Sequence, residues 1–227
     1  MTDPDEAVDV VADDWQPASN LELGVTHEDE PEHAEAHVDH HELEAPNQHW
    51  QRYHYDHCNF SEANLTNLLT TQSTFISCDF SEADLTHSLH QRSVFVNCIF
   101  RRARLRSALF EECRLAGSIF DDADFESVTF RGGDLAEVSF ENVDLGGVDM
   151  TNVVLYGANL TGADFRDATL CGADLRDVQL DRTSFVRADL SGALVGGFDP
   201  NAADFTQARV DRDQAVEFAK AFGVIVD

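Results

Sequence analysis

Residues 158–177 read ANLTG ADFRD ATLCG ADLRD, four blocks of five with a small residue first, an apolar residue third and polar residues after it. The same phrase begins at Cys58 as CNFSE ANLTN and returns at Cys78 as CDFSE ADLTH. Working outward from these stretches, every fifth position from Phe60 to Leu190 is apolar except Thr70 and His90, 25 of 27, a register that chance does not hold. Two residues earlier stands a small or β-branched residue almost throughout, as at Cys58, Ala63, Ser73, Cys78, Ala83, Ala163, Ala173 and Val178.

A period of five suits neither regular element. On an α-helix it advances the large residues by roughly 500° per repeat, so they share no face. On a straight strand an odd spacing sends successive side chains to opposite sides. A chain that turns a corner every five residues satisfies both inward positions, and a second period fixes the number of corners. Phe60, Phe80, Phe100, Phe120 and Phe140 recur at every fourth block, as do Cys58, Cys78 and Cys98. Four blocks per coil stack these as ladders with rungs about 4.8 Å apart. The expected fold is an all-β solenoid, a square coil of roughly 7 to 8 rungs and about 35 to 40 Å from Cys58 to about Val210.

The Ala/Cys, Asp/Asn, Leu/Phe, Ser/Thr/Arg, Gly pattern resembles that of the pentapeptide-repeat proteins, whose fold is a right-handed quadrilateral β-helix. Within that family the chain is similar to the mycobacterial fluoroquinolone-resistance type. The likeness is carried by CDFSEADLTHSLHQRSVFVNCIF at 78–100, the departures at Thr70 and His90, and the ending ARVDRDQAVEFAKAFGVIVD at 208–227, and it covers residues 51–227. It implies an end-to-end homodimer that imitates duplex DNA, binds and inhibits DNA gyrase and protects it from quinolones.

Charge fits such a reading. The 227 residues carry 43 acids against 15 Lys and Arg, a formal −28, which disfavours nucleic acid and anionic membranes as partners. Residues 1–50 hold 15 of the acids and no Lys or Arg, and their apolar residues lack periodic spacing. This segment is expected to be a disordered acidic tail. Within it, His37 and His41 would share a face if a helical turn formed, a metal-ligand spacing weighed against a solvated tail. The five cysteines suit a reducing compartment, and the absence of a signal-like stretch or a long apolar run suggests a cytoplasmic protein.

Sorted by side of the coil, the acids concentrate. The Phe60 side bears Glu62, Asp79, Glu82, Asp121, Asp122, Glu141 and Asp181, and the next side bears Asp84, Asp124, Glu126, Asp144, Asp164 and Asp167. Arg101, Arg102, Arg104 and Arg106 interrupt both. The candidate surface for a cationic partner is Glu62, Asp79, Glu82, Asp84, Asp121, Asp122, Asp124, Glu126, Glu141 and Asp144, densest between 118 and 150. The competing reading is an ordinary polar surface whose acids pair locally with arginine.

After about Val210 the period breaks, and residues 211–227 are expected to hold a short helix that caps the coil and, as the resemblance implies, joins two copies through Val216, Phe218, Ala219, Phe222, Val224 and Ile225. Cys58, Cys78, Cys98 and Cys113 read as inward filler, Cys171 as outward, and Leu69, Leu89 and Leu109 as an outward apolar ladder. No phosphate loop, nucleophile elbow or metal spacing stands out, so no enzymatic activity, cofactor or metal is expected. The alternative function is an interaction scaffold of the same repeat class with another partner.

Overall fold

A computed structural model describes residues 31–226. Pro31–Asp227 form one compact unit, a coil of parallel strands and bridges whose partners lie four blocks apart, from His33↔Tyr53 to Asp189↔Arg209. The four sides differ. On the Phe75 side, β1 (His33–Ala36), β3 (Tyr53–Asp56), β5 (Thr74–Ile76) and β7 (Val94–Val96) make a parallel sheet. On the Thr70 side, β2 (His49–Gln51), β4 (Leu69–Thr71), β6 (Leu89–Gln91), β8 (Leu109–Glu111) and β9 (Thr129–Arg131) make another. The Phe60 and Leu65 sides are held by single bridges such as Asn59↔Asp79 and Asn64↔Asp84. Lower down the Phe75 side, β10 (Asp174–Arg176) pairs with β11 (Leu194–Gly196).

The corners explain the period. Every fifth residue from His37 to Gln207 has a positive φ near 50–75°, except Ala202 in the 3-10 turn Pro200–Ala202. At the Phe60 corner, the Ala63 amide donates to the Phe60 carbonyl (3.2 Å) around Glu62 at φ 59°, the marks of a type II turn. Gly117 and Gly162 take this conformation without strain, and a Cβ at either would strike the Asn97 or Asn142 side chain one coil away.

Inside, the apolar positions stack as the four-block period predicts. Phe60, Phe80, Phe100 and Phe120 lie ring over ring at 5.1, 4.9 and 4.6 Å, and Phe75 lies on Phe95 at 4.6 Å. All are fully buried. Such parallel stacks, each worth about 0.5–1.5 kcal/mol beyond area burial, link rung to rung along the axis.

The coil begins earlier than the sequence reading expects. Residues 32–50, assigned there to a disordered tail, form its first turn; residues 1–30, the rest of that segment, lie outside the described residues. Two of the inward positions in this turn are polar, Glu35 and His40, which hides the period. They close the end of the core instead. His40 stacks on Phe60 at 4.8 Å, and Glu35 accepts hydrogen bonds from His33 (2.8 Å) and His40 (2.5 Å). Leu43 and Tyr53 pack against the same end of the core in positions that elsewhere mostly hold small or β-branched residues. No helical turn joins His37 and His41: His37 sits against the His57 ring at 5.2 Å, while His41 Nδ1 lies 3.0 Å from the Ser61 carbonyl.

At the other end, α1 (Arg212–Ala221) starts with a capping box in which Asp211 accepts from the Gln214 amide and Gln214 Oε1 accepts from the Asp211 amide. Gln214 is buried and its amide donates to the Leu190 and Ala193 carbonyls, the latter at 2.8 Å. The helix thereby supplies a donor to the Ala193 carbonyl and a second one to the Leu190 carbonyl, which already accepts from the Ala193 amide.

Candidate partner-binding surface

The two sides without continuous strands are those on which the acids concentrate. Five of the ten candidate carboxylates meet the arginine band. Arg102 pairs with Glu82, Arg104 with Asp84 (3.1 Å), Arg101 with Asp121 (3.5 Å), and Arg106 with both Asp124 (2.5 Å) and Glu126 (3.5 Å). These links run between neighbouring rungs, so local pairing describes this half of the set. Burial opposes ionisation of Asp84, yet hydrogen bonds from Thr86 and Arg104 outweigh it and hold the carboxyl below the usual range.

The other five, Glu62, Asp79, Asp122, Glu141 and Asp144, have no ion pair among the described residues. Asp79 and Asp144 each use one oxygen to accept a backbone amide two residues on, from Ser81 (2.8 Å) and Gly146 (3.0 Å). Glu62 and Asp122 occupy left-handed corners, which point their side chains away from the coil. Asp122, Glu141 and Asp144 lie within about one rung of each other, because residues four blocks apart are laddered and 122, 141 and 144 straddle one such step.

Sequence reasoning places the columns correctly but misses which carboxylates are neutralised. A signal was present: Arg101 and Asp121, Arg102 and Glu82, and Arg104 and Asp84 each stand one full coil apart in the chain. Further down, Arg187 pairs with Asp167 (2.5 Å) and Arg209 with Asp189 (3.1 Å) by the same rule. The hydroxyl and amide of Ser191, with Arg209, bring the Asp189 carboxyl down to about 2.

The six C-terminal candidates divide. Phe218 is half-buried and meets Phe198 and Phe205 edge-on at 5.9 and 5.0 Å, so it seals the core. Val216 and Ala219 are also half-buried. Phe222, Val224 and Ile225 are exposed, Ile225 at 89%. The inward thiols of the earlier coils are shielded by contrast: Cys58, Cys78, Cys98 and Cys113 are buried, and desolvation pushes the Cys113 thiol up to about 12. Cys171 faces outward, as expected.

Among the described residues, no helix is long and apolar enough to cross a membrane, and no group of three His, Cys, Asp or Glu is placed to hold a metal ion.

A four-sided coil of five-residue blocks, with left-handed corners and an arginine-interrupted acidic surface, defines a β-solenoid, and the chain belongs to the pentapeptide-repeat family. Residues 71–140 match the model of a pentapeptide repeat region, and 134–170 and 149–185 match that of pentapeptide repeats in eight copies. Among solved structures, a trypsin-treated variant of QnrB1, a plasmid-mediated fluoroquinolone resistance protein, shares the fold with a TM-score of 0.71 at 20% identity, covering 86% of this chain and 97% of that one. A second trypsin-treated variant gives 0.70 at 21%, covering 86% and 99%. Full-length QnrB1 gives 0.62 at 20%, covering 84% and 100%. No curated protein sequence matches the chain.

Proposed function

We propose that this chain is a DNA-mimicking protein that binds and inhibits DNA gyrase, acts as a homodimer in the cytoplasm, and confers fluoroquinolone resistance. The observation that carries the reading is the set of carboxylates without ion pairs, Glu62, Asp79, Asp122, Glu141 and Asp144, on two adjacent sides of a straight-sided coil. Rungs about 4.8 Å apart space these charges more widely than the one charge per about 1.7 Å of duplex DNA. A cationic groove shaped for phosphates is nevertheless served by fewer anions on an already ordered backbone, since less ordering entropy is spent at binding. The arginines of these pairs are exposed and their acids at least partly so, and surface ion pairs are worth only about 0–1 kcal/mol, so a partner's Lys or Arg can replace the internal arginine. The likeness of fold to a fluoroquinolone resistance protein supports the same reading. Pairing of two coils through the exposed Phe222, Val224 and Ile225 would double the length of the acidic surface.

The test is a gyrase supercoiling reaction with purified protein of known mass by light scattering. Dimeric protein should inhibit at low salt and lose potency steeply as salt rises. Reversing Asp122, Glu141 and Asp144 to Lys should abolish inhibition, with the fold intact by circular dichroism, whereas reversing the Arg106-paired Asp124 alone should weaken it less. Full supercoiling at micromolar protein and low salt would overturn the proposal and leave an interaction scaffold with another partner.

A further inference from the structure

The inward column of the Thr70 side runs Trp50, Thr70, His90, Phe110, Phe130, and its two polar members are sealed in the core at 0 and 1% exposure. They are bonded to each other and to the serines around them. Thr70 Oγ1 lies 2.8 Å from His90 Nδ1 and 2.9 Å from Ser93 Oγ, and His90 Nε2 lies 2.9 Å from Ser88 Oγ. Ser93 Oγ reaches the Gln91 carbonyl at 3.2 Å and accepts the Ser73 amide at 3.3 Å, while Ser73 Oγ donates to the Trp50 carbonyl at 2.8 Å. The His90 ring is also packed flat on Phe110 at 4.7 Å and edge-on to Phe95 at 5.1 Å. The network thus crosses three successive coils and leaves neither nitrogen of the imidazole without a partner.

A repetitive chain has a particular problem that this network addresses. From Phe60 to Leu190 the large apolar inward residues are Phe, Leu or Met, so a coil closed one block early or late still sets one apolar side chain on another. Packing alone penalises such slips weakly, because a hydrophobic core tolerates swaps of similar size. Thr70 and His90 do not tolerate them. A coil of three or five blocks would set Thr70 against Leu85 or Phe95, and His90 against Phe75 or Leu65. Buried donors and acceptors would then be stranded in hydrocarbon, at about 1–3 kcal/mol for each group. We propose that the Thr70–His90 network is a register lock, which selects the coil of four blocks over coils of three or five while the chain folds. It plays the part that a single buried polar residue plays in fixing the alignment of a coiled coil.

The test separates register from stability. Thr70→Leu and His90→Phe, made singly in the full chain, should each lower Tm, because the first leaves His90 Nδ1 and the second Ser88 Oγ without its buried partner. The double variant should recover a Tm at or above the wild-type value. After refolding from denaturant, however, amides of residues 65–95 should exchange in two populations, where the wild type shows one. A double variant that refolds to a single population with wild-type yield would overturn the lock and reduce the network to filler. A double variant that does not fold would overturn it too, by making the network a requirement of the fold itself. The variant His90→Gln, which keeps a donor and an acceptor, should restore a single population.

Discussion

At several inward positions two residues before a large apolar side chain, the corner one coil earlier is matched by the residue type: alanine follows some closed turns and a hydrogen-bond donor several open ones. Where the corner is a closed turn, its carbonyl is already taken: Phe80 and Leu85 accept from the Ala83 and Ser88 amides, and the positions that follow one coil later are Ala103 and Ala108. Where the corner is open, a side chain fills the gap. Ser118 Oγ donates to the Phe95 carbonyl (2.7 Å) and accepts from the Cys98 amide (3.0 Å), so one hydroxyl replaces the missing turn bond. Cys98 and Cys113 reach the Phe75 and His90 carbonyls at 3.4 and 3.3 Å. Reading these cysteines as small filler is right for size and blind to the bond, because an acceptor more than a full coil back in the chain is invisible until the coil closes. Ser118→Ala should therefore cost about 2–4 kcal/mol, measured by urea unfolding, because it strands two buried backbone groups at once. His90 makes a prediction of its own. Burial lowers its pKa from 6.5 to about 3, so the folded protein resists a proton that the unfolded chain accepts. Stability should be unaffected above pH 6.5 and fall as pH drops from there toward 3, by up to about 4 kcal/mol. A wild-type profile as flat as that of His90→Phe between pH 6.5 and about 5 would refute it.

At the scale of elements, the body of the coil was legible because each block repeats the same five-residue instruction. Its ends were not, because an end has to violate that instruction. The first turn replaces inward Phe or Leu with Glu35 and His40 and has bulky Leu43 at a position that later turns mostly fill with small or β-branched residues, and among the described residues no coil lies above it. The C-terminal helix was legible through its acids and apolar spacing, whereas the role of Gln214 as a plug for the last carbonyls was not. A chain beginning at Pro31 should accordingly be more stable than one beginning at Gln51. The shorter form lacks Trp50 and His40, uncovers Phe60 and Tyr55, and should lose several degrees in Tm by thermal unfolding. Equal melting of the two would show that the first turn adds nothing to the core.

For the whole molecule, the formal charge of −28 divides differently once the coil is seen to start near residue 31. Residues 31–227 carry 33 acids and 15 bases, a net −18, and the arginines neutralise chosen columns rather than diluting the charge evenly. That selection is why side assignment could be read from the sequence while the effective anionic surface could not: pairing depends on long side chains reaching across a rung. The salt dependence expected of gyrase inhibition belongs to this scale, because it counts charges released together.

The quarter-turn corner also has a consequence for descent. Removing or inserting four blocks shortens or lengthens the rod and leaves each downstream side chain in its compass direction. Removing or inserting a single block keeps small residues under large ones, yet swings the whole downstream surface through a right angle. Mutational slippage between near-identical blocks therefore edits the direction in which charges face while sparing the interior, and a lineage of such chains can change what it holds by rotation alone.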